Sequence, residues 1–499
     1  MKSYWIETAR ENRKDHKKLE NNITTDVCII GGGLTGLSVA YYLKESKLRV
    51  CILERDEICS HTSGNTTGKI TSQHGLFYNY LIDSKGVDYA KMYLKANEKA
   101  IQNIADIINK EKIDCDLKYE DSYVFTQKLD EVSKIKDEVE EINTIYGRNS
   151  IKAEFVKEID LPINIMGAIK FSNQAQFHPV KYAYGLIDSM KNVEIYENTK
   201  AVDLRKKDSK YVITAENGKT IECKYVVIAT NYPIINTPGY YFLKMYQVMS
   251  YIIAIKPNEK IYNGMYINSE EPTISIRNQG DLVLIGGNSH KTGAKIDLKN
   301  AYNYLEKVAS QIYPKYELKY KWCTEDCVSL DKIPYIGEFS NLMPNVYIGT
   351  GYKKWGMTSS NISGKIISDK ILRKENAYEE VFKSTRMEPI KNIKEVENMA
   401  KETINSLILN KLDIPKDTIE KVNTNEGKIV QIDGKKVGIY KDEKGKIYAI
   451  NPICSHLGCE LSWNNIENTW DCPCHGSRFD YMGRSIYAPS IKDISIIKK

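Results

Sequence analysis

DVCIIGGGLTGLSVAYYLKESKLRVCILE, residues 26–54, decides how the N-terminal part of the chain folds. Asp26 to Ile30 is a short apolar run that reads as a buried strand. Gly31-Gly32-Gly33-Leu34-Thr35-Gly36 satisfies G-x-G-x-x-G, and the helical pattern LSVAYYLKES follows it. A second apolar run, Arg49 to Leu53, ends on Glu54. Strand, Gly-rich turn, helix, strand and acid, in that order, make the dinucleotide-binding βαβ unit. Gly31 permits the tight turn, Gly33 lets the backbone approach a pyrophosphate, and Gly36 lets helix and strand pack closely. The free N–H groups of the first helical turn, at Leu34 and Thr35, face the phosphates. Glu54, 23 residues beyond Gly31 and followed by Arg55, is placed to accept the ribose hydroxyls.

Three further segments extend this reading. Ser60 to Lys69, SHTSGNTTGK, is a small polar loop suited to wrapping a long cofactor, with Ser63, Gly64, Thr66, Thr67 and Gly68 as its contacts. Lys224 to Asn231, KYVVIATN, is a buried strand that ends in the small residues Ala229 and Thr230. Asn345 to Thr358, NVYIGTGYKKWGMT, reads as strand, Gly-rich turn and a helix from about Thr358. Its candidate cofactor residues are Gly349, Gly351, Gly356, Met357 and Thr358. Strand-then-small-residue segments this far apart in sequence suit an interleaved FAD domain.

The last tenth of the chain carries a second signal. Four of the eleven Cys crowd there beside two His. The other seven (Cys28, Cys51, Cys59, Cys115, Cys223, Cys323 and Cys327) are scattered, several of them in strand-like runs that suit inert core thiols. Cys454-Ser455-His456 is followed, after fifteen residues, by Cys472-Pro473-Cys474-His475. Cys454, His456, Cys472 and His475, two from each loop, form the ligand set of a Rieske [2Fe-2S] centre, with two thiolates on one iron and two imidazoles on the other. A zinc site is the rival, but the spacings do not match paired CxxC ribbons. GKIVQIDGKKVGIYKDEKGKIYAINPI alternates apolar and polar residues with turns at Asp433-Gly434 and Lys444-Gly445, as a small antiparallel sandwich requires.

From about Asp26 to Lys374 the chain resembles the D-amino acid oxidase/glycine oxidase family of FAD-dependent amine oxidoreductases. The resemblance rests on DVCIIGGGLTG, SGNTTG, QFHPVKYAYGL (Gln176 to Leu186), VVIATN, LVLIGG (Leu282 to Gly287) and IPYIG followed by YIGTGYKKWGMT. It implies that Gly64 to Lys69 lies along the pyrophosphate and isoalloxazine. It also implies that the last helix aims its N-terminus at the flavin pyrimidine edge, where it stabilises negative charge. Some relatives attach FAD covalently, and Cys323 lies near the position such a Cys occupies. About Asp417 to Lys499 resembles Rieske ferredoxin domains, which implies a disulfide between Cys459 and Cys474. Ser477 then offers a hydroxyl to a cluster sulfur, whereas Phe479 stands where high-potential relatives carry a Tyr. The expected potential is intermediate within the Rieske range of about −150 to +300 mV.

The 499 residues call for two or three domains. We expect an α/β FAD-binding domain, Rossmann-like and of the glutathione-reductase type, over residues 22–76, 169–235 and 321–378. An α+β substrate domain would take 77–168, expected to be helical, and 236–320. A helical linker, 379–416, with an amphipathic stretch from Ile393 to Leu412, and a small all-β Rieske domain, 417–499, complete the chain. A net charge of +6 spread over interleaved Lys, Asp and Glu gives no reason to expect nucleic acid as a partner. Neither a membrane span nor a signal peptide is legible, so a cytoplasmic protein is expected.

The joined modules imply oxidation of a small-molecule amine or amino acid at FAD, with electrons passing to the cluster and on to an external one-electron acceptor. Electrons entering from NAD(P)H or a ferredoxin, and a non-catalytic redox carrier or sensor, are the alternatives. A Rieske oxygenase fits poorly, because the five His outside the cluster motif show no close pair. No residue stands out as catalytic. Lys69 could polarise the flavin, Arg277 could bind a substrate carboxylate, and Tyr251 and His178 could line the pocket.

Overall fold

The computed structural model describes residues 3–147, 152–294, 300–386 and 418–497. Among these residues the chain builds a six-stranded sheet from Val27–Ile30, Val50–Leu53, Val193–Tyr196, Tyr225–Ile228, Val346–Thr350 and Tyr335–Glu338. VCII, VCIL and YVVI are buried at every position, the mark of parallel strands covered on both faces. All pairs are parallel except Tyr335–Glu338 with Val346–Thr350. Val27–Ile30 lies between Val50–Leu53 and Tyr225–Ile228, so successive connections leave it to opposite sides. That arrangement opens a crevice at the carboxyl ends of the strands.

Helices Leu34–Leu43 and Gly356–Ile371 cover one face. They meet at Gly364, where a Cβ would come within 2.6 Å of the Ser38 Cβ and 2.8 Å of the Ser38 carbonyl carbon. The later helix starts at Gly356, two residues before the expected Thr358.

A nine-stranded sheet stands beside the first, with Tyr316–Ser329, Met245–Pro257 and Leu282–Lys291 at one end and Lys118–Thr126, Gly167–Gln176 and Lys69–Ile70 at the other. Three expected segment boundaries move as a result. Residues 169–176 and 321–329, assigned from sequence to the FAD-binding domain, pair within this second sheet, as does Lys69–Ile70. The region 77–168 is not helical throughout. Helices Tyr78–Lys85, Val87–Glu111 and Val132–Tyr146 alternate with strands Lys118–Thr126 and Ala153–Val156.

The C-terminal domain is all-β, as expected, with antiparallel strands Glu426–Ile432, Lys435–Lys441 and Ile447–Ile450 in one sheet. Ser462–Asn464, Thr469–Asp471, Arg478–Asp480 and Ser485–Tyr487 form the other. Its core holds Trp470, Phe479, Leu461 and Ile450 together with the Cys459–Cys474 disulfide. Of the expected linker, Glu379–Phe382 is a short helix, and Arg386 clamps the chain by bonding both Asp331 carboxylate oxygens and the Ile333 and Pro334 carbonyls. The amphipathic stretch Ile393 to Leu412 lies outside the described residues. Among the described residues no helix is long and apolar enough to cross a membrane.

Candidate functional site

The crevice at the strand ends is an open cleft, with about 1270 Å³ of atom-free space that includes solvent at its mouth. One wall is the Gly-rich turn. Gly31 adopts φ +112°, and a Cβ there would lie 2.4 Å from the Ala229 carbonyl oxygen. At Gly36 a Cβ would lie 2.1 Å from the Gly31 carbonyl oxygen, so only glycine lets the helix start so close to the strand. Glu54 is buried, and its carboxylate accepts from the backbone N–H of Gly32 at 2.8 Å and of Asp56 at 2.9 Å, which fixes it at the cleft edge. Helices Leu34–Leu43 and Gly356–Ile371 both open onto the cleft with no cap from the N-cap side chain, and the Leu34 N–H donates to the Ser63 hydroxyl at 3.0 Å. The buried hydroxyls of Ser60 and Thr324 border it without a hydrogen-bond partner among the described residues. Bare backbone, two positive helix ends and unpartnered hydroxyls suit a diphosphate-bearing cofactor such as FAD.

Of the residues expected to hold the cofactor, Gly31, Gly33, Leu34, Thr35, Glu54, Arg55, Ser63, Thr66, Ala229, Thr230, Gly356 and Met357 line the cleft. Gly36, Gly64, Thr67, Gly68, Gly349, Gly351 and Thr358 stand behind it. At Gly68 (φ +70°) a Cβ would lie 2.8 Å from the Phe177 carbonyl oxygen, so that glycine serves the turn. The lining also includes Thr199, Lys200 and Ala201, which follow a strand with no glycine signature, Lys354, inside YIGTGYKKWGMT but not among its candidate residues, and Asp326 and Tyr487, which no motif marks.

The four catalytic candidates have structural partners and do not line the cleft. The Lys69 ammonium donates to the Tyr266 carbonyl and the Ser275 hydroxyl inside the second sheet. Arg277 donates to the carbonyls of Thr67, Gly68, Phe177 and Asn278 and lies over the Trp5 ring. Tyr251 is buried against His290 and Tyr302. His178 caps the helix Pro179–Asp188 and bonds Thr8. Cys323 lies outside the lining as well, beside Glu467.

Asp326 and Lys354 are among the charged residues that face the cleft, near the start of Gly356–Ile371, and the Lys354 ammonium donates to the Ser289 hydroxyl at 2.5 Å. The Asp326 carboxylate accepts from the Lys354 backbone N–H. Burial pushes its pKa up to about 6, against the pull of the Lys354 charge. Desolvation by the surrounding cleft walls lowers the pKa of Lys354, a residue exposed to the open cleft, while Asp326 opposes that shift. Lys353 and Lys354 both hold positive φ, +50° and +71°, a costly conformation for two consecutive non-glycine residues.

Against the same cleft stands the paired-loop cage. Each loop closes in the same way: Cys454 N–H donates to Cys459 O and Gly458 N–H to Cys454 O, while Cys472 N–H donates to Ser477 O and Gly476 N–H to Cys472 O. Gly458 (φ +83°) and Gly476 (φ +81°) make the turns possible. The loops bring the Cys454 and Cys472 sulfurs within hydrogen-bonding distance and the two imidazoles to 5.0 Å between centroids. The Cys472 sulfur, then the backbone N–H groups of His456 and Leu457 and the Ser477 hydroxyl, pull the Cys454 pKa down to about 7 against the effect of burial, while the Cys472 thiol is pushed up by Cys454 and by burial. The Nδ1 atoms of His456 and His475 are both buried with no partner among the described residues. Two neighbouring sulfurs and two orphaned ring nitrogens, brought together by paired loops, are the donor set a [2Fe-2S] cluster of mixed ligation needs. The Ser477 hydroxyl accepts from the Ser490 N–H at 3.0 Å and keeps its own proton for the Cys454 sulfur.

Comparison with known proteins agrees with this geometry. Residues 26–370 match the FAD dependent oxidoreductase family, and residues 414–498 match the Rieske [2Fe-2S] domain. YhfW of Bacillus subtilis, described as a Rieske 2Fe-2S iron-sulfur protein, is 36% identical over 96% of this chain and 94% of its own length. Gamma-glutamylputrescine oxidoreductase of Escherichia coli is 24% identical over 70% of this chain and 84% of its own. The crystal structure of glycine oxidase from Geobacillus kaustophilus superposes with a TM-score of 0.62 at 20% identity, over 73% of this chain and all of that one. The chain therefore belongs to the FAD dependent oxidoreductase family and carries a C-terminal Rieske domain, an enzyme whose cofactors are FAD and one [2Fe-2S] cluster.

Proposed function

We propose that the protein is a dehydrogenase of a small amine or amino acid that sends electrons from FAD through its Rieske cluster to an external one-electron acceptor. One observation carries this reading: the cleft and the cluster cage share a wall. Tyr487, Ala488, Ser490 and Ile491 of the Rieske domain line the cleft directly. Gln247 joins the two sites, donating to the carbonyls of Ala488 and of the cage residue His475.

In this reading the lining residues of the Gly-rich turn, the 60–66 loop and the Gly356–Ile371 helix start hold FAD. Cys454, His456, Cys472 and His475 hold the cluster. Bound FAD supplies two-electron acceptance from a C–N bond, and the cluster supplies one-electron carriage. The names of the E. coli and Geobacillus relatives support an amine or amino acid as the substrate class. Asp326 attracts the substrate's cationic nitrogen, and Lys354 restrains Asp326 and faces any substrate carboxylate.

The test is anaerobic addition of candidate amines and amino acids, then NADH and NADPH, followed by absorption and EPR. Flavin bleaching by an amine, with a reduced Rieske signal following, is expected. Reduction by NAD(P)H alone would reverse the direction of flow and sink the dehydrogenase reading.

A further inference from the structure

We infer that Asn236, outside the Rieske domain, is a positioning residue for the cluster, and that Gln247 and Phe242 complete a seat that closes the cluster's histidine side against the flavoprotein module. The inference rests on His456 and His475 being ligands, as read above.

His456 has its Nδ1 buried without a partner, while its Nε2 lies 2.7 Å from the Asn236 side-chain oxygen. A ring nitrogen that binds metal uses its lone pair, so the proton resides on the other nitrogen. Nε2–H therefore donates to Asn236 Oδ1. Asn236 lies a few residues beyond the cleft residues Ala229, Thr230 and Asn231, in a turn closed by the Tyr240 N–H on the Asn236 carbonyl at 2.8 Å.

The His475 loop is seated differently. Gln247, 1% exposed on strand Met245–Pro257, donates to the His475 carbonyl at 2.9 Å and the Ala488 carbonyl at 2.7 Å. A Cβ on Gly476 would lie 2.6 Å from the Gln247 Cβ, so the loop sits there only because it turns on glycine. The Phe242 ring stands edge-on to both imidazoles, with centroids 6.2 Å from His456 and 5.7 Å from His475. None of these supports is near the ligands in sequence.

An acceptor on the far nitrogen of a ligating imidazole makes it a stronger donor to the metal and favours the oxidised cluster. The flavoprotein module thus sets part of the cluster's potential through Asn236. The two replacements Asn236→Ala and Asn236→Asp should act in opposite directions. Ala removes the acceptor and raises the potential; Asp strengthens it and lowers the potential.

The experiment is a redox titration of the reduced-cluster EPR signal in full-length holoprotein, driven by dithionite and mediators so that no organic substrate is involved. A tenfold change in the balance of oxidised and reduced cluster is about 59 mV for one electron. Opposite shifts of that order support the inference. Unchanged potentials in both variants overturn it. Shifts in the same direction also overturn it, because loosened packing, unlike altered acceptor strength, has no reason to change sign. A wild-type protein with FAD but no rhombic Rieske signal would overturn the ligand reading itself, a result distinguishable from either.

Discussion

The Asp326 carboxyl is held at the cleft by a Lys354 N–H and raised to about 6 by burial, so it changes charge within an accessible pH range. Above about 6 it is an anion able to hold a cationic nitrogen, and below that value it is neutral. KM for an amine should therefore rise as pH falls through about 6, with a smaller change in kcat. Asp326→Asn should remove that limb and lower kcat/KM by about tenfold to a hundredfold, the worth of one charge-assisted hydrogen bond. A variant retaining the limb would shift the role to another group. Arg277 leads to the opposite expectation. Its guanidinium satisfies the carbonyls of Thr67, Gly68, Phe177 and Asn278 behind the loop that borders the cleft. Arg277→Leu should cost at least about 1–3 kcal/mol by leaving buried carbonyls unpaired. Flavin retention and melting temperature should fall together, while the substrate KM of the flavin-loaded fraction stays the same.

At the scale of elements, the strand–turn–helix at residues 26–54 was legible because each part has a steric requirement that few residues meet. Gly36 shows how strict this is, with the Gly31 carbonyl oxygen only 2.1 Å from where its Cβ would be. Gly36→Val should push helix Leu34–Leu43 off its strand and abolish FAD retention, read as loss of flavin absorbance after gel filtration; Ser38→Ala, two residues on, should retain it. The cluster loops were legible for the same reason, since metal chemistry permits few residue types at few spacings. The rest of the cleft was not. Thr199, Lys200 and Ala201 reach it where one strand gives way to the next and Asp326 from within Tyr316–Ser329, and strand order depends on long-range pairing that no local window records. The displaced boundaries at 169–176 and 321–329 have the same origin: an apolar run states that a strand is buried but not which sheet takes it. Lys69, Arg277, Tyr251 and His178 looked available because a sequence shows polar groups without their partners.

At the scale of the whole molecule, two modules are joined by a buried charge cluster whose energetics decide whether the cluster stays against the flavin cleft. Arg478, 5% exposed, bonds Asp471 of its own domain at 3.0 Å and Glu325 of the second sheet. Glu325 is 1% exposed, and its second carboxylate oxygen has no partner among the described residues. Burial, aided by Asp471 and Glu467, pushes the Glu325 pKa up to about 7, and Arg478 only partly offsets this. An unfolded Glu titrates near about 4.3. The folded state therefore binds the extra proton between these values, and the stabilisation it gives is present at low pH and lost as pH rises through about 7. The dock should loosen over that interval, seen as faster proteolytic release of the Rieske domain and slower flavin-to-cluster transfer at pH 8 than at pH 6. Glu325→Gln keeps the hydrogen bond without the titrating charge, so it should flatten the profile and hold the domains together at both pH values. Arg478→Met strands two buried acids and should cost about 3–5 kcal/mol, enough to free the domain at any pH near neutral. If Glu325→Gln releases the domain as readily as Arg478→Met, the interface depends on the ionised pair, and the pH dependence should then run the other way.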